Sequence, residues 1–144
     1  MKRIRRVWFA VAAIVLLVAA SPASSDFESA FRGLTSSSRN TIRASIEELA
    51  ELNDGRALGA LEALRDKRLR TDDAGGLFIE SDAGNSFVDA LSGQPAEPDP
   101  EALRTPSINN RVRRALKPAI AQIQLRSPDR KQRLAAADAT RSTI

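Results

Sequence analysis

Ile108-Asn-Asn-Arg-Val-Arg-Arg-Ala-Leu116 and its continuation to Ile123 form the stretch whose reading decides the fold. Ile108, Val112, Ala115, Leu116, Ala119, Ile120 and Ile123 recur at steps of three and four, which puts them on one face of a helix. Arg111, Arg113, Arg114 and Lys117 fall mostly off that face. Leu125-Arg-Ser-Pro-Asp129 then marks a corner. There the Ser127 hydroxyl serves as an N-cap and Pro128 brings the preset φ of a first helical position. A second helix is predicted beyond it, carrying Leu134 inward with Ala135 and Ala137 beside it. Pro118 sits inside the first helix, where it removes the hydrogen bond to the Arg114 carbonyl and clashes with it, at ~3 kcal/mol unless a kink is built in.

Upstream the same period returns. Phe27, Ala30, Phe31 and Leu34 share one face of a short helix over Asp26–Leu34, with Ser25 as its cap, and Thr35–Ser38 is a polar linker. Ile42, Ile46, Leu49, Ala50 and Leu52 predict a second helix over Asn40–Leu52. Asn53-Asp54-Gly55 is a turn, and Leu58, Leu61 and Leu64 face inward from a helix over Arg56–Arg68. Two helices joined by three residues predict an antiparallel helical hairpin over 38–68. Such a pair is the unit of HEAT-like repeats, which stack because one pair cannot bury its own apolar face, and it is equally the unit of an ordinary bundle.

From Leu69 the helical period stops. Asp72-Asp-Ala-Gly-Gly76 and Asp82-Ala-Gly-Asn85 are turns, Leu77–Ile79 and Ser86–Val88 short strand-like runs, and Leu91–Pro100 a loop. Residues 69–98 read as a small β-hairpin or meander that needs a helix to cover its apolar side. Residues 99–140 return to helix: Asp99-Pro100-Glu101 caps a turn through Leu103 and Arg104, and Arg133-Leu-Ala-Ala-Ala137 looks like the first helix of a further pair. Thr140-Arg-Ser-Thr-Ile144 supplies no partner for it, so the last repeat reads as incomplete, which leaves Leu134 and the alanine stripe exposed. The fold class expected is mainly α, helical hairpins with a small inserted β-hairpin; the period alone does not separate HEAT-like repeats from an ordinary bundle, and only a family resemblance favours the repeats.

A signal peptide over residues 1–23 is expected to precede this domain of residues 24–144. Lys2, Arg3, Arg5 and Arg6 stand before an unbroken apolar run of 14 residues from Val7 to Ala20, and small residues follow at Ser21, Ala23 and Ser24. The run is short of the ~20 residues that span a bilayer. Cleavage fits after Ala20 or after Ala23. Removing the leader takes four of the 22 basic residues and none of the 18 acids, so the mature chain is formally neutral and the basic balance says little about nucleic acid. What remains is divided: 16 acids and 8 bases lie from Asp26 to Glu101, against 2 acids and 10 bases from Ala102 to Ile144. Each half is suited to attract the other, or to be read separately by a partner.

The motifs already quoted resemble a known family. Asn109-Asn110-Arg111-Val112-Arg113-Arg114-Ala115-Leu116, with Ser127-Pro128-Asp129 and Arg133-Leu134-Ala135-Ala136-Ala137, is similar to the N-terminal extracytoplasmic region of the urea ABC transporter permease subunit, in the branched-chain amino acid permease group. The likeness extends back through Asp54-Gly55-Arg56-Ala57-Leu58 and Leu61-Glu62-Ala63-Leu64. It implies a helical-repeat domain placed ahead of a membrane-spanning permease, cut short here before that permease. The implied setting is exported, on the periplasmic side of the inner membrane. The implied partners are the rest of the permease, its ATPase subunits and a periplasmic solute-binding protein for urea, amides or branched-chain amino acids. Membrane association would come only through the missing permease domain or an uncleaved leader. Pro118 departs from the ordinary helix former expected of the family at that position.

The residue types argue against catalysis. With no His there is no Ser-His-Asp triad, no Ser-x-x-Lys offers another base, and Gly75-Gly76 lies in no phosphate-binding motif. No cofactor and no metal are expected: without His or Cys the ordinary zinc and copper ligand sets are missing. Asp72, Asp73, Glu80, Asp82 and Asp89 match no EF-hand spacing and read as solvated turn residues. Asn109, Asn110, Arg111, Arg113, Arg114 and Lys117 are the candidate interaction face, suited to an acidic protein surface or anionic headgroups. The plainer account of the same residues is a helix cap and a solvated outer face. The function expected is thus a non-enzymatic accessory domain of an ABC permease that cannot transport alone, and the alternative is a free-standing secreted helical-repeat module that binds protein.

Overall fold

The computed structural model describes residues 22–131 together with 133, 134 and 137. In chain order these form α1 (Pro22–Gly33), α2 (Arg39–Leu52), α3 (Ala57–Arg65), β1 (Leu69–Thr71), β2 (Leu77–Glu80), β3 (Phe87–Asp89), β4 (Pro95–Ala96), a 3-10 turn (Pro100–Ala102) and α4 (Asn110–Leu125). The architecture is mixed, four helices and a four-stranded antiparallel sheet, rather than mainly α. The predicted leader lies outside the described residues except for Pro22 and Ala23, which belong to α1.

Each helix buries the face that its periodicity marks. Phe27, Ala30, Phe31 and Leu34 of the α1 segment are buried, with the Phe27 and Phe31 rings stacked at 5.5 Å. Ile42, Ile46, Leu49 and Ala50 of α2, Leu61 and Leu64 of α3, and Val112, Leu116, Ile120 and Ile123 of α4 join them in one core. The start of α2 is set by the Ser38 hydroxyl, which accepts from the Thr41 N–H. Asn53, in the left-handed region at φ 52°, ends it and donates its N–H to the Leu49 carbonyl. α3 stops in a Schellman arrangement: Arg68 N–H donates to the Ala63 carbonyl at 2.8 Å and Lys67 N–H to that of Leu64, with Lys67 at φ 61° where glycine is usual.

The antiparallel helical pair falls one element earlier than the predicted 38–68 hairpin. α1 runs back along α2: Gly33 at its end lies so close to Ser45 that an added Cβ would sit 1.9 Å from the Ser45 hydroxyl oxygen. Toward its start the Phe27 ring lies under the Arg56 guanidinium, 4.1 Å away and just beyond the end of α2. α2 buries its other side against α4 rather than against α3. Two contacts fix that pair's direction. Arg39 donates to the Ser107 hydroxyl at 3.2 Å, just before α4 begins, and Gln122 near its end donates to the Ala50 carbonyl at 2.8 Å. Residue numbers rise together along both helices, so α2 and α4 run parallel.

Between them the chain builds a meander in the order β1-β2-β3-β4, twice the predicted number of strands. Leu69 pairs with Ile79, Ile79 with Val88 and Val88 with Pro95, which places these four on one face. That face turns Leu69 and Leu77 into the core, where α3 covers β1 and β2. β4 lies within the predicted Leu91–Pro100 loop, and β1 follows directly on the α3 cap. Arg104, expected in a helical turn, instead bridges the outer edge of β1: it exchanges backbone hydrogen bonds with Thr71 at 2.8 and 2.7 Å. The 3-10 turn is capped as predicted, the Asp99 carboxylate accepting from Glu101 N–H.

Beyond α4, residues 130, 131, 133, 134 and 137 are helical. The cap is Asp129 rather than Ser127: the Asp129 carboxylate accepts from Lys131 N–H at 2.8 Å, and its own N–H donates to the Ser127 hydroxyl. Leu134 is 54% exposed and Ala137 is exposed as well, as expected of a helix without its partner. Thr140–Ile144, on which the incomplete-repeat expectation rests, lie outside the described residues.

Candidate functional site

α4 is positioned by its own first turn. The Asn109 side-chain oxygen accepts from Val112 N–H at 3.0 Å, so Asn109 is occupied as the N-cap, and Asn110 opens the helix on its exposed side. The buried stripe Val112, Leu116, Ala119, Ile120 and Ile123 then fixes the helix rotation, and Arg111, Arg113, Arg114 and Lys117 are left exposed.

The six predicted residues do not act as one face. At ~100° per residue, Arg111 lies within about 20° of Gln122, the residue bonded to α2, and Arg114 lies on the outermost face of α4, about 80° from either flank. Arg113 and Lys117 lie on the opposite flank with Gln124, which donates to the Glu62 carboxylate of α3 at 2.9 Å. Arg111, Arg114 and Ala115 form one wall of a shallow groove of about 380 Å³. Asn40, Arg43 and Glu47 of α2 form the other. Inside it Arg43 pairs with Glu47 at 3.2 Å, an ordinary (i, i+4) pair with both side chains about half exposed.

Residues 40, 43 and 47 carry no signal in isolation, since a charged outer face is what any surface helix presents. Only the parallel packing of α2 on α4 brings Arg43 opposite Arg111 and Arg114. The same packing sets both helix N-termini at one end, so the positive ends of two macrodipoles add to the guanidinium charges there.

Most arginines between α2 and the 3-10 turn are engaged. Arg56 forks onto Asp54 at 2.6 Å, Arg65 onto Asp66 at 2.8 Å, and Arg104 pairs with Asp73 at 2.9 Å. Arg68 reaches Asp82 at 3.2 Å, and Arg70 pairs with Glu80 across the sheet. Among the described residues Arg111, Arg113, Arg114 and Lys117 enter no such pair. The hydrogen bond and charge of Arg56 hold the Asp54 carboxyl below its ordinary value. Burial pushes the Asp89 carboxyl up, but backbone and hydroxyl donors from Ser92 and the Leu91 N–H outweigh it, and Asp89 ends below the usual carboxylate range.

The acids near the sheet are therefore spoken for. Asp72 accepts from Gly76 N–H at 2.6 Å, Asp89 closes the turn after β3, and Asp73, Glu80 and Asp82 hold arginines. Among the described residues no group of three acids is gathered for a metal ion, and no helix is long and apolar enough to cross a membrane. No protein-family model, no curated protein and no solved structure matches the chain.

Proposed function

We propose that this chain is a non-catalytic contact domain, working on the extracytoplasmic side of a membrane as the N-terminal region of an ABC permease of the urea and branched-chain amino acid type. The observation that carries the reading is the outer side of α4, where Arg111 and Arg114 stand exposed and unpaired beside a groove while most arginines of the preceding half are paired. Free surface cations steer and orient an acidic partner rather than hold a fold together. The sequence likeness through Asn109–Leu116, and the leader-like order of charges, apolar run and small residues before Asp26, support the setting. In this role the domain contacts the rest of the permease or the periplasmic solute-binding protein, and the ATPase subunits act across the membrane without touching it.

The test is charge reversal of Arg111 and Arg114 to Glu in the complete permease, followed by labelled-urea uptake and capture of the binding protein. Both should fall. Unchanged uptake together with unchanged capture would reduce these arginines to a solvated face.

A second reading, a free-standing secreted module that binds protein, is favoured by the closure of the core. From Phe27 to Ile123 most of the large apolar side chains join one core, and Leu91 is the one in that span that is notably exposed. The DNA directly downstream discriminates: a multi-span hydrophobic segment in frame supports the permease, and its absence the free module.

A further inference from the structure

We propose that the groove between α2 and α4 is a carboxylate-reading site for an acidic polypeptide segment: Arg111 and Arg114 each take one carboxylate, and Arg43 exchanges Glu47 for a third. The inference rests on the reading of this side of α4 as a contact surface and names what the surface takes. Glu47 shows the chemistry already at work, since its carboxylate lies on the Arg43 guanidinium within the groove. Both side chains are about half exposed, 47% and 52%, so the pair is weakly held and cheap to exchange.

Spacing fits a polypeptide. Arg111 and Arg114 are one helical turn apart, with Cβ atoms separated by about 5–6 Å. Acids at alternate positions of an extended strand repeat at about 6.6–6.8 Å, within reach of two long, exposed guanidinium stems. A planar guanidinium matches a carboxylate through two parallel N–H···O bonds, which gives direction as well as attraction. A lipid surface fits less well. On α4 the one exposed large apolar side chain is Leu125 at the far end of the helix, too little to seat it in a headgroup layer, since interfacial helices depend on a full apolar face. A free phosphate fits less well than a polypeptide because one small anion cannot reach Arg43, Arg111 and Arg114 from both walls of the groove at once.

The experiment uses the purified chain and a labelled oligoglutamate peptide, followed by fluorescence anisotropy at low and physiological salt. Binding should saturate and weaken as salt rises. Arg111→Glu with Arg114→Glu should weaken it about tenfold or more, since two attractions become repulsions. Arg113→Glu with Lys117→Glu makes the same charge change on the other flank and should cost no more than about threefold. Glu47→Gln should tighten binding, because it frees Arg43 and removes a competing carboxylate.

Circular dichroism of each variant establishes that it is folded before its binding is compared. Equal losses in the two double variants would overturn the site in favour of net charge. Tighter association with phosphatidylglycerol vesicles or inorganic phosphate than with oligoglutamate would overturn it in favour of those anions. Absent oligoglutamate binding overturns the site even if charge reversal in the complete permease still abolishes capture of the binding protein. In that case the contact-domain reading stands on its own.

Discussion

Replacing Pro118 by Ala should stabilise the protein, and the size of the gain follows from where Pro118 sits. It lies in the middle of α4, exposed, one residue before the buried Ala119. Having no N–H, it leaves the Arg114 carbonyl without its helical donor, and its ring crowds that carbonyl; in a helix interior this costs ~3 kcal/mol relative to Ala. The ring also restricts the unfolded chain, which returns up to ~1 kcal/mol. The substitution opens no cavity because the ring points to solvent, so the net gain is ~2 kcal/mol. At roughly 4 °C per kcal/mol for a domain of this size, the melting temperature should rise by about 8 °C. Thermal unfolding followed by circular dichroism measures this, and Pro118→Gly separates the causes. Gly restores the donor but gives up ~1 kcal/mol of helix propensity, so it should fall between parent and Ala variant. A Pro118→Ala variant no more stable than the parent would refute the reasoning and mean that the lost hydrogen bond and the ring's crowding are offset by packing elsewhere.

Two further outcomes are expected. Gly33→Ala should cost ~1–3 kcal/mol in urea denaturation, because its Cβ meets the Ser45 hydroxyl at 1.9 Å, and Ser45→Ala in the same chain should recover part of the loss; equal stability of parent and single variant would mean that α1 and α2 are not that close. Asp54, held below its ordinary 3.8 by Arg56, has a depressed folded-state pKa. Its contribution is therefore present above the unfolded-state value and is lost as pH falls through the folded one, and Asp54→Asn should flatten the acid limb of the stability curve below about pH 4. An acid limb of unchanged slope would show that the fork to Arg56 persists in the unfolded chain or contributes nothing.

Which faces of the helices are buried was legible from spacing alone, because the 3.6-residue period repeats over two or more turns in each of them. Phe27, Phe31, Ile42, Ile46, Leu61, Leu64, Val112, Leu116 and Ile123 all lie where that period puts them. β1 and β4 were not legible. A strand of three residues or of two is too short for alternation to register, and β1 is separated from α3 by a cap in which Lys67 takes the position that glycine would have advertised. Leu134 shows the converse limit: an apolar residue at helical spacing says which side of the helix it is on, and only a partner element decides whether that side is covered. The candidate site was half legible for the same reason. Arg111 and Arg114 stood out as charges off an apolar stripe, but Asn40, Arg43 and Glu47 gain meaning from the helix opposite, and a period carries no information about what a face packs against.

That packing depends on the sheet. A short loop after α2 would have laid the next long helix antiparallel to it, with the start of one beside the end of the other. Instead the chain needs a return path along α2, a helix of 14 residues and so about 21 Å long, before α4 begins. α3, the meander and the 3-10 turn supply it, and two ties fix where it ends. Arg104 is held on the edge of β1 by its backbone bonds to Thr71, and Ser107 is held by Arg39 at the start of α2. The five residues from Arg104 to Ile108 therefore deliver Asn109 to the end of the molecule where Ser38 already caps α2. The bridge at Thr71 also covers part of one sheet edge, while the other is limited to two residues, one of them Pro95, which has no N–H to offer a further strand. The insertion that interrupts the helical pattern is thus what makes α2 and α4 parallel, and parallel helices are what bring Arg43 to face Arg111 and Arg114 across the groove.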